Sequence, residues 1–225
     1  MSQNKIKIGI THGDPNGIGY EVILKALEDP RMLELCTPII YGSAKIANHY
    51  RKLSNISQFP LHQIQTPDNA RPDQVNIINV IDESLKIEPG NPSQEAGKAA
   101  FIALEAAVAD MRAEKIDAIV TAPINKATIQ SGEFTFPGHT EYLEASLAEN
   151  GEKALMILSS ENMRVALVTI HTPLASVASE ITADKVESRI RDFNSALEKD
   201  FGIPHPRIAV LSLNPHSGEN GLIGT

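Results

Sequence analysis

The sequence predicts an α/β protein with mixed, mostly parallel sheets and two domains, and three observations predict it. Short β-branched runs alternate with segments of helical periodicity along most of the 225 residues, the pattern of a parallel sheet with helices packed on its faces. Two apolar runs after residue 150 are joined only by Ser159-Ser-Glu-Asn162, a link short enough for an antiparallel hairpin. The pattern changes near residue 130, which places a first domain at 1–130 and a second at 131–225.

Each element has its own warrant. Residues 5–11 read as a strand, 12–19 as a glycine-bearing loop and 20–27 as a helix that stops before Pro30. A strand at 38–41 and a helix at 44–53 follow, whereas 55–72 is polar and proline-spaced and reads as an exposed connection. Residues 75–80 return to strand. Ser93 is the expected N-cap of an alanine-rich helix over 95–115, whose apolar positions Phe101, Leu104, Ala107, Val108 and Met111 follow helical spacing. A short strand at 117–121 enters Ala122-Pro-Ile-Asn-Lys126, a helix starts at 127–130, 132–138 is a loop, and 139–147 is helical again. Strands at 154–158 and 163–170 form the hairpin, 182–199 is an amphipathic helix closed by Gly202, and 207–213 is the last strand. The chain stops inside the glycine-rich run Asn214-Pro-His-Ser-Gly-Glu-Asn-Gly-Leu-Ile-Gly-Thr225. A functional-looking loop rarely ends a domain, so a chain shortened at its C-terminal side is expected.

Composition removes several classes of function. A net charge of −8 leaves no concentrated basic face, which argues against a nucleic-acid partner. Aromatic residues are only 4% with no Trp, which gives base-stacking platforms little support. The single cysteine, Cys36, excludes an intramolecular disulfide and any multi-cysteine metal cluster, and it reads as a core residue of a protein in a reducing cytoplasm. No apolar stretch is long enough for a membrane span, and the polar start lacks a signal-peptide core.

The candidate chemistry lies where apolar runs end. Val165-Ala-Leu-Val-Thr-Ile-His171 and Ile208-Ala-Val-Leu-Ser-Leu-Asn-Pro-His216 each read as a buried strand delivering an imidazole into a loop, two arms of a metal site beside the alternative of two loop histidines. Two ligands fall short of the roughly three of a catalytic zinc-like site, so a third must come from elsewhere. Gly13-Asp14-Pro-Asn-Gly17-Ile-Gly19, between strand and helix, suits either an anion or a tight turn, and it meets neither the P-loop nor the dinucleotide fingerprint. Lys126 offers an ammonium to a cleft or to solvent. Pro137-Gly-His139-Thr140-Glu141 sets an imidazole and a hydroxyl beside helix amides, which suits an anionic ligand, with N-capping by Thr140 as the competing account. No motif supports covalent catalysis: Ser159 and Ser160 lack a Gly-x-Ser-x-Gly elbow, and the Asp82-Glu83 pair lies in a polar segment that reads as solvated. No catalytic residue is assigned.

Taken in order, Gly13-Asp-Pro-Asn-Gly-Ile-Gly19, Thr121-Ala-Pro-Ile-Asn-Lys126, Pro137-Gly-His-Thr-Glu141, His171-Thr-Pro-Leu174 and Leu213-Asn-Pro-His-Ser-Gly-Glu219 resemble the 4-hydroxythreonine-4-phosphate dehydrogenase family along the whole chain. The resemblance implies an architecture like isocitrate and isopropylmalate dehydrogenases, incomplete in this chain, with a homodimer whose active sites lie at the interface. It implies His171 and His216 as ligands of a divalent metal (zinc, magnesium or cobalt). It implies His139 and Thr140, with Lys126 nearby, as contacts of a phosphorylated substrate, and NAD or NADP as hydride acceptor. The third metal histidine would lie in a Tyr-His-Asp-Gln-Gly-like segment beyond residue 225, as would later substrate-binding residues and the return of the chain to the first domain. Tyr20 stands where the family pattern has Pro. The implied reaction is oxidation of 4-phosphooxy-L-threonine in pyridoxine phosphate synthesis. The alternatives are a dehydrogenase of 4-phospho-D-erythronate or a related sugar acid, and, from another class, a non-catalytic phosphate-binding fragment. An acyl-phosphate transferase would need coenzyme A contacts that nothing in the sequence supplies.

Overall fold

Five short strands join in a parallel sheet in the order β3-β4-β2-β1-β5, with β1 at Lys7–Thr11, β2 at Thr37–Gly42, β3 at Leu61–Ile64, β4 at Val75–Asn79 and β5 at Ala118–Thr121. The computed structural model describes residues 5–56, 60–130, 132–149 and 151–223. The polar start at 1–4 and Gly224-Thr225 at the end of the glycine-rich run lie outside the described residues.

The sheet is covered on both faces, as buried parallel strands require. Alternation along β2 sends Ile40 toward helices α1 (Gly19–Leu27) and α3 (Ala44–Leu53), where Tyr20, Leu24 and Ala47 are buried. Ile39 and Tyr41 face the other way, against Ala103 and Ala107 of α4 (Gln94–Arg112). Ser93 caps α4 as its sequence predicts, its hydroxyl accepting from Ala96 N at 3.1 Å. Helix α4 has a second apolar face, where Phe101, Leu104 and Val108 pack with Ile129, Phe134 and Tyr142. It is therefore sandwiched between the sheet and the helices α5 (Lys126–Ile129) and α6 (His139–Leu147).

Residues 55–72 hold more structure than a connection. They contain β3, which pairs in parallel with β4, and a 3-10 turn at Pro67–Asn69. Leu61-His-Gln-Ile64 is a half-exposed edge strand with only two apolar residues, so its periodic signal is faint. The short helix α2 at Met32–Leu35, without a buried residue, was likewise not expected.

The chain divides into two compact units, Met1–Glu152 and Lys153–Thr225. The first runs past residue 130 because Phe134 and Tyr142 complete the outer core of α4, which ties the loop and α6 to the sheet domain. The second unit contains an antiparallel pair, β6 (Ile157–Ser159) and β7 (Arg164–Ala166), joined by a turn in which Ser160 N donates to Met163 O. These strands are shorter than the apolar runs suggest, with one further bond from Leu167 N to Met156 O. Helices α7 (Leu174–Glu180) and α8 (Ala183–Lys199) follow, with Thr182 capping α8. Arg189 of α8 donates to Ala154 O, and the Arg164 guanidinium lies 5.2 Å from the Phe201 ring centre. The strand expected at 207–213 does not form: a strand exists only through its ladder, and no strand pairs with this segment among the described residues. Its Val210, Leu211 and Leu213 are exposed.

One polar side chain fastens the first loop to the entry of α4. Buried Asn16 donates from Nδ2 to Asn91 O at 2.8 Å, its Oδ1 accepts from Glu88 N at 2.9 Å, and its own carbonyl accepts from Gly90 N. Replacing Asn16 with alanine leaves Asn91 O and Glu88 N without these partners, with an expected cost of about 2 kcal/mol in urea denaturation. A loss below about 0.5 kcal/mol would show that water replaces the clamp.

Candidate active site at the sheet switch point

Strand β1 has β2 on one side and β5 on the other: the chain leaving β1 goes on to β2, and the chain leaving β4 crosses back through α4 to β5 on the opposite side of β1. Such a switch point, beyond the carboxyl ends of the strands, is where open α/β sheets bind ligands. Here the loops after β1 and β5 are in close contact. Asp14 N donates to Pro123 O at 2.9 Å, and a Cβ on Gly13, whose φ is +69°, would strike Pro123 O and Ala122. Gly19 has the same constraint against His12 O, which lets α1 start hard against the end of β1.

Three amides of the Gly13–Gly19 loop are committed within the chain. Asn16 N donates to Asp14 Oδ1 at 2.8 Å and Gly17 N to Asp14 O at 2.9 Å, beside the Asp14 to Pro123 bond. Anion binding there would therefore rely on the first turn of α1, and the geometry on view is that of a braced turn. Tyr20 fills the position just inside that helix, fully buried, its hydroxyl accepting from Ser43 N at 2.8 Å. Burial raises the Tyr20 pKa well above its ordinary value.

Lys126 opens α5 directly beyond β5 and is exposed. Asn125 caps this turn, Oδ1 accepting from Ala127 N at 3.0 Å. From the end of α5, Gln130 Nε2 donates to Phe136 O at 2.7 Å, which ties α5 to the chain entering α6. Helix α6 begins at His139, with Thr140 inside its first turn and Gly138 at the N-cap, so Thr140 is not the cap and no side chain caps this helix. His139 Nε2 is buried and has no hydrogen-bond partner, and desolvation lowers the pKa of the ring. A neutral imidazole with a vacant nitrogen thus stands beside uncapped helix amides, the electrostatic setting of an anion seat.

His171 and His216 both lie in the second unit. Neither is delivered by a strand end as expected, since β7 stops at Ala166 and 207–213 forms no ladder among the described residues. Both residues are exposed, and both hold left-handed backbone, with φ of 54° and 51°. Ser217, Glu219 and Asn220 share that region with His216, and such strain in non-glycine residues collects at functional sites. Among the described residues, no group of three or more His, Cys, Asp or Glu side chains stands together in a way that could hold a metal ion. Imidazole is a donor that suits zinc or cobalt, and a site of that kind takes about three protein ligands. Sequence reasoning missed two residues at the switch point. These are Asn16, whose partners lie more than 70 positions away, and the fully buried His12. No local pattern marks either one.

The open parallel sheet with helices on both faces, and the braced loops beyond its carboxyl edge, define an α/β protein. The chain belongs to a family within that class: the model for "Pyridoxal phosphate biosynthetic protein PdxA" matches residues 34–225. A 4-hydroxythreonine-4-phosphate dehydrogenase of Bacteroides thetaiotaomicron is 54% identical over 224 residues, covering 100% of this chain and 61% of the relative. A D-threonate 4-phosphate dehydrogenase of Cupriavidus necator is 41% identical, covering 100% of this chain and 67% of the relative. The crystal structure of a 4-hydroxythreonine-4-phosphate dehydrogenase from Burkholderia phymatum superposes with a TM-score of 0.84 at 34% identity, over 99% of this chain and 67% of that one. The chain thus spans roughly two thirds of the length of the relatives it matches. Among the described residues no helix is long and apolar enough to cross a membrane.

Proposed function

We propose that this chain serves a cytoplasmic, homodimeric, NAD(P)-dependent and divalent-metal-dependent dehydrogenase that oxidises 4-phosphooxy-L-threonine to 2-amino-3-oxo-4-(phosphooxy)butanoate. That product, a β-keto acid, then loses carbon dioxide to give 3-amino-2-oxopropyl phosphate. The observation that carries the reading is the unpartnered His139 Nε2 at the uncapped start of α6, supported by the names of the relatives. His139 and Thr140 receive the phosphate, His139 as a neutral donor and the α6 amides through their partial positive charge. Lys126 adds a cation from the neighbouring helix start. His171 and His216 would hold a divalent cation, whose chemistry there would be to acidify the substrate hydroxyl. A nicotinamide, when bound, would supply the hydride acceptor for the carbinol carbon, and the hydroxyl proton would leave to solvent. The Gly13, Asp14, Gly17 and Gly19 loop forms a rigid wall of the crevice.

A second reading has an observation in its favour. The relative from Cupriavidus necator, matched over the whole of this chain, is named for a phosphorylated four-carbon sugar acid, the class that includes 4-phospho-D-erythronate. The distinguishing experiment follows NADH absorbance with each substrate in the presence of zinc, magnesium or cobalt. Turnover of 4-phosphooxy-L-threonine supports the first reading, and turnover of the sugar acid alone replaces it with the second. Phosphate binding without turnover of either makes the chain a binding module. In any active form, His139→Ala should raise KM for the phosphorylated substrate about ten-fold or more, the worth of a hydrogen bond to a charged group. An unchanged KM removes His139 from the site.

A further inference from the structure

The start of α6 is fixed by rings in place of a polar cap. Phe136 lies two residues before the Gly138 N-cap, and its ring meets that of Tyr142, in the first turn, at 5.5 Å and 75°. Phe134, fully buried, lies 5.8 Å from Phe136 and 5.6 Å from Tyr142. Phe101 of α4 closes the group, 5.5 Å from Phe134 and 5.8 Å from Tyr142. An apolar contact between the residues entering a helix and its fourth position sets the angle at which the chain enters. Edge-to-face rings make that contact directional. The bond from Gln130 to Phe136 O holds the same point from the side of α5.

We propose that the quartet Phe101, Phe134, Phe136 and Tyr142 is a positioning device for the phosphate seat at His139, with Phe136 as the positioning residue at its edge. The inference rests on the reading of His139 as that seat. A polar N-cap would occupy the amides that a phosphate needs. The rings hold the first turn of α6 in place from its apolar side without a polar cap, and His139 Nε2 is left without a hydrogen-bond partner. Affinity for phosphate is then set by residues that never touch it.

The test uses the full chain and inorganic phosphate as the probe, with affinity from calorimetric titration and the His139 ring nitrogen shifts from NMR. Phe136 is half-buried at the margin of the cluster, so Phe136→Ala should weaken phosphate binding about ten-fold. It should also move the His139 shift at saturation away from its wild-type value, which a merely destabilised fold would not do. Phe136→Tyr should restore both, and Phe136→Leu, which keeps apolar volume without a ring, should fall between. If Phe136→Ala does not fold, the Leu variant decides alone, wild-type affinity and shift in it overturning the proposal. If His139→Ala weakens binding while the Phe136 variants do not, the seat stands and the positioning role is lost. If His139→Ala has no effect either, the seat itself is wrong and the proposal goes with it.

Discussion

Gly97→Ala is expected to destabilise the first unit by about 3 kcal/mol, even though alanine is the better helix former by about 1 kcal/mol. Gly97 lies in the first half of α4 and faces α5, and a Cβ there would overlap the carbonyl of Thr128, with the Ile129 amide also within reach. The obstructing atoms are backbone, so no rotamer change relieves the overlap and one helix must move. Gly90→Ala is the control. Gly90 has a φ of +84° with nothing within 4 Å of a new Cβ, so it incurs only the conformational cost, about 1 kcal/mol. Urea denaturation of both variants checks the argument, and a Gly97→Ala protein no less stable than Gly90→Ala would mean that α5 shifts freely. Because α5 leads through Gln130 to the entry of α6, Gly97→Ala should also weaken phosphate binding.

That dependence of a distant seat on one glycine marks where the sequence is legible and where it is not. Elements with a strong period and a cap are read directly. Ser93 begins α4 where the pattern predicts, α3 spans 44–53 as read, and α6 spans 139–147 as read although no side chain caps it. The α/β class follows from the same alternation. Illegible features are those whose warrant is another part of the chain. The edge strand β3 is held by its ladder to β4 instead of by its own pattern. The segment 207–213 has the pattern and no ladder among the described residues. Tertiary pairing decides such cases over propensity.

The candidate site divides in the same way. His139 is noticeable in sequence because it opens a helical run, yet only the fold reveals that Gly138, not Thr140, occupies the cap and that Nε2 is buried without a partner. The Gly13–Gly19 loop is conspicuous for its glycines. Its contacts explain two of them by close approach, Gly13 to Pro123 and Gly19 to His12. His171 and His216 are conspicuous for the strands they were expected to end, and what the structure adds is left-handed backbone at both.

His12 should make the fold acid-sensitive, by about 3 kcal/mol between pH ~6.5 and ~4. It is fully buried at the end of β1, its ring stacked on Tyr20 at 5.1 Å, with Tyr20 stacked in turn on Tyr50 at 5.7 Å. On the β2 side it meets Gly42, where a Cβ would come within 3.2 Å of the imidazole. Backbone groups of Ala99 and Gly13 face the ring, but neither meets the geometry of a hydrogen bond to Nδ1 or Nε2. The neighbouring hydroxyls are occupied, Tyr20 with Ser43 N and Tyr50 with Pro15 O, and the nearby carboxylate of Asp14 binds Asn16 N. Desolvation lowers the His12 pKa from 6.5 to about 4, with the Ala99 and Gly13 groups opposing it. The unfolded chain therefore takes up a proton as pH falls through 6.5, while the folded one does not until about 4. Between those values the unfolded state binds more protons, so stability is full above the window and declines as pH falls through it. Carboxylates contribute a background of their own, which a variant isolates. His12→Phe keeps a flat ring for the stack and removes the titration, so its denaturation midpoint should vary less with pH than that of the wild type. Parallel pH profiles for the two proteins would sink the assignment. Because His12 immediately precedes the loop that meets Pro123, its protonation should loosen the switch point before the rest of the sheet, and hydrogen exchange at Asp14 and Gly17 should accelerate first.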